Sequence, residues 1–192
     1  DKGQFELAAK QFELNLPREF IRPLLFQTAK AQLSWRHAPS AQSWQLDFSK
    51  LMFENQDLTL SGQGKLTVAA EQSPLLDLKM HYQARPSLSA HFSTYLPHNL
   101  LHPKLFNWLT QAIVQLNKAK GEIFWYGSLK GFPYIEVPGQ FIVTTNFEGL
   151  GLRFWPSWPL LTEAKGQVVF NKNKMTAWVS QARLEKLAVA SL

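Results

Sequence analysis

The chain has 192 residues, of which 45% are hydrophobic and only 18% charged, so it can bury a sizeable core and is not a disordered polypeptide. It contains no cysteine, which excludes disulfide bonds, thiolate catalysis and cysteine-ligated zinc. The net charge is +6, but the basic residues are dispersed rather than gathered in a stripe. This dispersal argues against nucleic acid as a partner.

Alternation of apolar and polar residues is the main pattern along the chain. Clear runs lie at 4–9, 12–16, 44–49, 76–82 and 141–147. A period of two is typical of antiparallel strands with one apolar and one wetter face. Segments rich in Asn, Asp, Pro and Gly separate the runs and predict turns. The sequence therefore predicts a mainly β fold.

One segment departs from the alternation and predicts the principal helix, over Pro103–Lys118. Its apolar residues recur at helical spacing and make the helix amphipathic. Pro103 suits the first helical position, and Gly121 suits the end of the helix. A shorter helical turn is predicted around Pro17–Leu25. The apolar face of the principal helix consists of Leu105, Leu109, Ala112, Ile113 and Leu116.

Two stretches of the chain resemble each other. Pro23–Trp35 parallels Pro159–Phe170, and a strand carrying Trp44 or Trp178 follows each of them. We therefore interpret 1–192 as one fragment of a longer, repeat-built β protein. Two sub-units are predicted, a first β module at 1–97 and a helix plus a second β module at 98–192. The alternative is that the same turn chemistry selected similar hairpins twice.

Motifs of catalysis or metal binding are scarce. The stretch Ser61–Lys65 contains two glycines, but its spacing is wrong for a phosphate-binding loop. His98 and His102 are four residues apart, yet Pro97 and Pro103 bracket them and no third ligand is evident. The carboxylates are scattered singly. We therefore predict no enzymatic activity, no catalytic residues, no metal and no cofactor.

The segment 154–159, Phe-Trp-Pro-Ser-Trp-Pro, is the most unusual local feature. Three interpretations remain open for it. The prolines favour a rigid aromatic corner that closes the end of a sheet. The same residues also suit a platform for stacking sugars, or an amphipathic patch at a membrane interface or lipid mouth.

A series of short motifs runs in a recognisable order over nearly the whole chain. Each motif is weak alone, but in this order and spacing they resemble the AsmA-like YhdP family of the bacterial envelope. The principal motifs are Leu16–Pro17, Leu33–Trp35, Tyr95–Pro97, Trp108–Leu109, Gly121–Ile123, Gly127–Pro133, Gly139–Phe141, Leu152–Phe154, Trp158–Leu161 and Gly166–Phe170.

This resemblance implies a curled antiparallel sheet with an open groove, of the repeating β-groove type. It implies a long protein anchored in the inner membrane by a helix outside this fragment, with its body in the periplasm. Its expected partners are phospholipid or another acyl-chain lipid, and, through the full-length protein, the inner and outer membranes. The implied function is phospholipid movement between the membranes, which supports the outer-membrane barrier.

Alternation then identifies the residues expected to line the groove, because every second side chain of a strand shares a face. The alternative is a structural or interaction β module of the envelope, in which the same residues form a closed core. An enzyme or sugar-binding domain that uses the 154–159 segment is a third interpretation. The predicted groove residues are Leu76, Leu78, Met80, Tyr82, Ile123, Trp125, Phe141, Val143, Phe147, Val168 and Phe170.

Overall fold

One sheet of nine strands forms the body of the molecule in the computed structural model, which describes residues 1–39, 42–99 and 101–185. Each strand pairs antiparallel with the next along the chain, and in the described residues β1 and β9 do not pair with each other. The predicted fold class, a curled and unclosed antiparallel sheet, is confirmed. The strands are β1 (Lys2–Leu14), β2 (Leu24–Ala38), β3 (Ser43–Glu54), β4 (Leu58–Ala69), β5 (Leu75–Ala84), β6 (Ile113–Ser128), β7 (Gly139–Leu152), β8 (Leu161–Asn171) and β9 (Lys174–Leu184).

The register divides the side chains between two faces, because residues directly opposite each other in a sheet point the same way. We call the face that carries Leu78, Met80 and Tyr82 the inner face. The outer face carries Lys79 and His81, which lie between them on β5. Its charges form exposed pairs, among them Lys65–Asp47 at 3.8 Å, Lys118–Glu148 at 3.8 Å and Arg183–Glu163 at 3.0 Å. The inner face is therefore mainly apolar, whereas the outer face carries these charges together with apolar side chains such as Phe124, Ile142 and Val169.

Four residues with left-handed backbones interrupt the strands where the apolar alternation slips by one residue. They are Gln11 (φ 54°), Lys50 (φ 52°), Gly149 (φ 64°) and Glu163 (φ 53°). In β3, for example, the inner residues shift from Phe48 to Leu51, where the register with β4 also shifts. An extra residue of this kind is a β-bulge, which restores the apolar side chains to one face and bends the strand. The bulges therefore keep the inner face apolar and contribute to the curl.

Residues 85–99 and 101–112 form a helical cap over one end of the inner face. The cap contains α1 (Leu88–His91), a 3₁₀ turn (Phe92–Tyr95) and α2 (Pro103–Ala112). The main buried cluster of the molecule lies at this end and joins Leu88 of the cap to strand residues of the inner face. Its other members are Leu24, Phe26, Leu58, Ala84, Leu116, Ala119, Phe147 and Ala164.

The helix predicted over Pro103–Lys118 is wrong beyond Ala112. The chain enters β6 at Ile113, which pairs with Leu152 of β7. Tertiary pairing with β7 overrides the helical spacing of Leu116, which joins the main buried cluster from the strand. The helix predicted around Pro17–Leu25 is a single turn, in which the Phe20 N–H donates to the Leu16 carbonyl at 2.9 Å.

The two similar stretches lie at corresponding places in two hairpins of the sheet, but not all of their side chains are equivalent. Leu33 and Trp35 lie on the inner face of β2, as Val168 and Phe170 do on β8. Trp44, however, follows the alternation of Leu46 and Phe48 on the inner face, whereas Trp178 pairs with Gln167 on the outer face. The two Trp residues are therefore not equivalent, because Trp44 follows Trp35 by nine residues whereas Trp178 follows Phe170 by eight, which reverses the face. The proposed division at 97/98 falls within the helical cap, between the paired strands β5 and β6.

Candidate functional site: the apolar inner face

The register brings the predicted groove residues together on the inner face of β5 to β8. One row crosses these four strands through Met80, Ile123, Val143 and Phe170, each opposite the next. A second row contains Leu78, Trp125 and Phe141, and others contain Tyr82 with Val168 and Leu76 with Gly127. Phe147 completes the set at the end under the helical cap. Their contact with lipid remains a prediction.

Glycines alternate with large side chains across this face. Met80 lies over Gly62, Leu78 over Gly64, and Tyr82 over Gly121, and each glycine is the direct cross-strand partner of the side chain that covers it. The same arrangement holds for Phe147 with Gly166 and for Trp35 with Gly3. A Cβ on any of these glycines would collide with the covering side chain. The glycines thus let long side chains lie flat across the strands, which gives a smooth apolar floor.

One polar pair interrupts the floor. The Tyr82 hydroxyl passes over Gly121 and forms a hydrogen bond with Thr145 Oγ1. Burial raises the pKa of Tyr82, and the hydrogen bond to Thr145 opposes that rise. Because the two hydroxyls satisfy each other, they add no charge and no unpaired polar group to the apolar surface.

The loop between β6 and β7, residues 129–138, covers the inner face at the end opposite the helical cap. Tyr134 is fully buried there, and its ring lies over Gly127 and Gly139. The Trp125 Nε1–H donates to the Tyr134 hydroxyl at 2.7 Å, and that hydroxyl donates to the Ser128 carbonyl at 3.0 Å. Phe132 packs between Trp125 and Phe141, with ring centroids 5.2 and 5.1 Å away. This loop and its aromatic contacts were not predicted.

A buried hydrogen-bond network fixes the helical cap to the turn between β3 and β4. Asn55 accepts from the backbone N–H groups of Asp57 and Leu58, both at 2.9 Å, and donates to Tyr95 Oη at 2.9 Å. The Tyr95 hydroxyl donates to Asp57 Oδ2 at 2.9 Å, and the His91 Nδ1–H lies 3.3 Å from Asp57 Oδ1.

Burial and the hydrogen bond to Asp57 raise the pKa of Tyr95 to about 12. Sequence reasoning identified the residues before Leu58 only as a turn. The run of Asn and Asp there was the one available signal, because partners on the distant cap cannot be read from spacing.

Arg85 adds a second connection between the cap and the same turn. Its guanidinium donates to the Asn55 carbonyl and, at 2.5 Å, to Glu54 Oε1. The Ser87 hydroxyl donates to the Gln56 carbonyl at 2.8 Å. In the described residues, no buried side-chain nitrogen or oxygen lacks a partner. The cap is thus held by polar contacts at its edge and by apolar packing beneath.

Between the two covered ends, the inner face is only half-buried. Ile123, Val143, Val168 and Phe170 keep part of their surface accessible, whereas Met80 is 8% exposed and Phe147 is 6% exposed. The face carries no ionisable carboxylate, ammonium or imidazole in this stretch. It can therefore hold apolar groups.

The two histidines considered for metal binding have separate structural roles. The His98 Nδ1–H donates to the Glu19 carbonyl at 3.0 Å, whereas His102 Nδ1 accepts from the Lys104 N–H at 3.2 Å at the start of α2. Among residues 1–39, 42–99 and 101–185, no group of three His, Cys, Asp or Glu is placed to hold a metal ion.

The 154–159 segment connects β7 to β8 and lies beside α2. Trp108 of α2 donates its Nε1–H to the Phe154 carbonyl at 3.1 Å, and its ring meets the Phe154 ring edge-on at 5.6 Å. The Phe154 and Trp158 rings are 5.6 Å apart. Phe154 is 49% exposed, Trp155 59% and Trp158 60%. The segment is thus an ordered corner, as the prolines suggested, but it leaves most of its aromatic surface in solvent.

Comparison with known proteins identifies the family. The family model described as "YhdP protein" matches residues 1–192, the full length of the chain. The chain belongs to the YhdP family. The resemblance found in the order of its motifs is therefore confirmed.

A characterised member of the YhdP family is similar over most of this chain. The protein named intermembrane phospholipid transporter YhdP, from Escherichia coli (strain K12), is 24% identical over 162 residues. This match covers 84% of the chain but 12% of the length of that relative. No solved structure matches the chain significantly. Within the described residues, no helix combines the length and apolar character needed to cross a bilayer.

Proposed function

We propose that this chain is a periplasmic segment of an inner-membrane-anchored protein that carries phospholipid between the inner and outer membranes. The inner face of β5 to β8 is the acyl-chain groove, and the eleven predicted residues line it. The observation that carries the proposal is the continuous apolar row Met80–Ile123–Val143–Phe170, of which Ile123, Val143 and Phe170 remain half-buried between two covered ends. The name of the E. coli relative supports phospholipid as the cargo. In this proposal the segment is not an enzyme, and its function is to support the outer-membrane barrier.

The physical basis is the uniformity of the floor. Burying each acyl methylene yields about 0.8 kcal/mol, so a chain of ordinary length is held firmly. Because successive rows of the face are alike, a lipid that moves by one row exchanges one set of contacts for a nearly equal set. The glycines beneath Met80, Leu78 and Tyr82 keep the side chains flat, which removes steric barriers to that movement.

The exposed edge strand β9 also supports the proposal. Strand β9 is exposed throughout, including Met175 at 42%, Val179 at 51% and Leu184 at 66%. An unprotected apolar edge strand is a liability in an isolated domain. It is suited instead to pairing with a further strand of a longer sheet, so that the groove continues from one unit to the next.

The test places one charge on each face of the same strand. Val143→Asp puts a carboxylate on the inner face between Ile123 and Phe170, and Thr144→Asp puts the same charge on the outer face one residue later. We expect Val143→Asp to abolish photo-cross-linking to phospholipid with little change in melting temperature, because an open groove leaves the carboxylate hydrated. Thr144→Asp should retain both properties. Lipid mass spectrometry of each purified protein measures what the groove holds.

The alternative, a structural or interaction module with a closed core, predicts the opposite result. An unpaired charge in a closed core costs several kcal/mol, so Val143→Asp would then collapse the melting transition. A normal melt with undiminished cross-linking would instead show that lipid does not use this face.

A further inference from the structure

Exposed aromatic side chains are concentrated at one corner of the molecule, outside the inner face. We call Trp108, Phe154, Trp155 and Trp158 the aromatic corner. Stacking and the Trp108 Nε1–H bond to the Phe154 carbonyl order the group, and the Trp158 N–H donates to the Trp155 carbonyl at 3.0 Å to close a tight turn. Two prolines further restrict this turn. The rings are thus held in place although about half of the surface of Phe154, Trp155 and Trp158 faces solvent.

Two exposed cations, Lys104 and Arg153, flank the corner, and one acid, Glu185, lies near it, because its N–H donates to the Leu160 carbonyl at 3.0 Å. Residues 97–112, which include α2, contain Lys104 and no Asp or Glu, and residues 149–162 contain Arg153 and no acid. Lys104 lies one helical turn before Trp108, and both Lys104 and Arg153 are exposed. The acids that bracket 149–162 are engaged elsewhere, Glu148 with Lys165 at 2.5 Å and Glu163 with Arg183 at 3.0 Å. The corner therefore presents aromatic rings beside two exposed cations.

We propose that the aromatic corner docks the helical end of the sheet on the surface of a bilayer that contains anionic phospholipid. Tryptophan rings favour the membrane–water interface, because their apolar bodies enter the acyl boundary while the indole N–H remains at the headgroups. Lys104 and Arg153 flank the rings and meet the negative surface. This docking is a second activity of the chain, independent of acyl chains held on the inner face.

The corner adjoins the structure that covers the inner face. The Arg153 N–H donates to the Ala112 carbonyl at 2.8 Å, which joins the end of β7 to the last residue of α2. A bilayer held by the corner thus lies beside the helical cap. Docking would bring the covered end of the inner face to a membrane.

Co-sedimentation with phosphatidylcholine vesicles, with and without phosphatidylglycerol, measures the docking. We expect the chain to bind anionic vesicles more tightly, and Trp155→Ala combined with Trp158→Ala to weaken that binding at least about tenfold. Arg153→Gln should weaken binding to anionic vesicles about fivefold and leave binding to neutral vesicles unchanged. Trp44→Ala is the matched control, because Trp44 is also exposed (41%) but stacks on His37 at the opposite end of the sheet.

A labelling experiment keeps the proposal testable if the double variant does not fold. The chain has no cysteine, so Ser157→Cys provides a single site for an environment-sensitive dye between the two tryptophans. Its emission should shift to the blue on addition of phosphatidylglycerol vesicles and be quenched by nitroxide-labelled lipid. A dye at Ser34→Cys, on the outer face of β2, should not respond.

Three results would overturn the proposal: equal binding by the double variant and the wild type, a silent dye at position 157, or a dye response to soluble oligosaccharide but not to vesicles. The last would assign the corner to sugar stacking. Failure of docking leaves the amount of co-purified phospholipid unchanged, whereas failure of the groove removes that lipid and leaves vesicle binding intact. The two proposals are thus separately testable.

Discussion

Met80 of β5 lies directly over Gly62 of β4, so that a Cβ built on Gly62 would stand 2.5 Å from Met80 Sδ. The two residues are cross-strand partners on the inner face, and Met80 is 8% exposed. The glycine is therefore a site of close approach rather than of flexibility. This relationship recurs along the floor and carries the first prediction.

Gly62→Ala should destabilise the fold by about 1–3 kcal/mol, because the new methyl group would stand 2.3 Å from the Lys79 carbonyl oxygen and also collide with Met80. Urea unfolding measures the change. Gln63→Ala, on the outer face one residue later, is the control and should stay within about 0.5 kcal/mol of the wild type. Equal stability of Gly62→Ala and the wild type would show that Met80 does not depend on the glycine.

Lys50→Gly should stabilise the protein by roughly 0.5–1 kcal/mol, because Lys50 has φ 52° and glycine adopts that conformation without a Cβ clash. Lys50→Val should destabilise it by about 1–3 kcal/mol, since a β-branched residue is strained there. Lys79→Gly, in a regular part of β5, should lower stability by contrast. Urea unfolding of the three variants shows whether each change raises or lowers the free energy of unfolding. A loss of stability in Lys50→Gly would contradict a left-handed backbone at this bulge.

Tyr95→Phe should destabilise the protein by about 1–3 kcal/mol near pH 8, because buried Asp57 and Asn55 each lose a hydrogen-bond partner. The effect depends on pH with a definite sign. The folded state raises the pKa of Tyr95 from 10.0 to about 12, so it binds this proton more tightly than the unfolded state does.

The contribution of the Tyr95 hydroxyl is therefore fully present below pH 10 and is lost as the pH rises from 10 to 12. Urea unfolding of the wild type and of Tyr95→Phe between pH 10 and 12 should show their free energies of unfolding converging. The titration of the other tyrosines and of the lysines affects both proteins alike and therefore cancels in the difference. A difference that stays constant up to pH 12 would refute the assignment of the raised pKa to this contact.

Tyr134 allows the ring and the hydroxyl to be tested separately. Tyr134→Phe keeps the cover over Gly127 and Gly139 but leaves Trp125 Nε1 without its acceptor, and should cost about 1–2 kcal/mol. Tyr134→Ala also removes the ring and should cost about 3–5 kcal/mol. Hydrogen exchange should then show faster exchange of the 129–138 backbone in Tyr134→Ala than in Tyr134→Phe. Equal exchange would mean that the ring does not hold the loop.

The sequence by itself determined the composition of the two faces. Alternation placed Leu78 and Met80 on one side of β5, and Phe141 and Val143 on one side of β7, because a strand has a period of two whatever its neighbours are. The order of the motifs identified the family, which the full-length match to the family model confirmed.

Only the tertiary structure decided how that face is covered. For Ile113 and Leu116, the residue spacing within 103–118 was compatible with either a helix or a strand, and pairing with β7 selected the strand. No periodic pattern in the sequence predicts the contact of Tyr95 with Asp57 or that of Tyr134 with Trp125. The glycines under Met80 and Tyr82 acquire their role only once the register sets each opposite its partner. Period and composition are local properties, whereas register, covering loops and the corner at Trp158 depend on which segments meet in space.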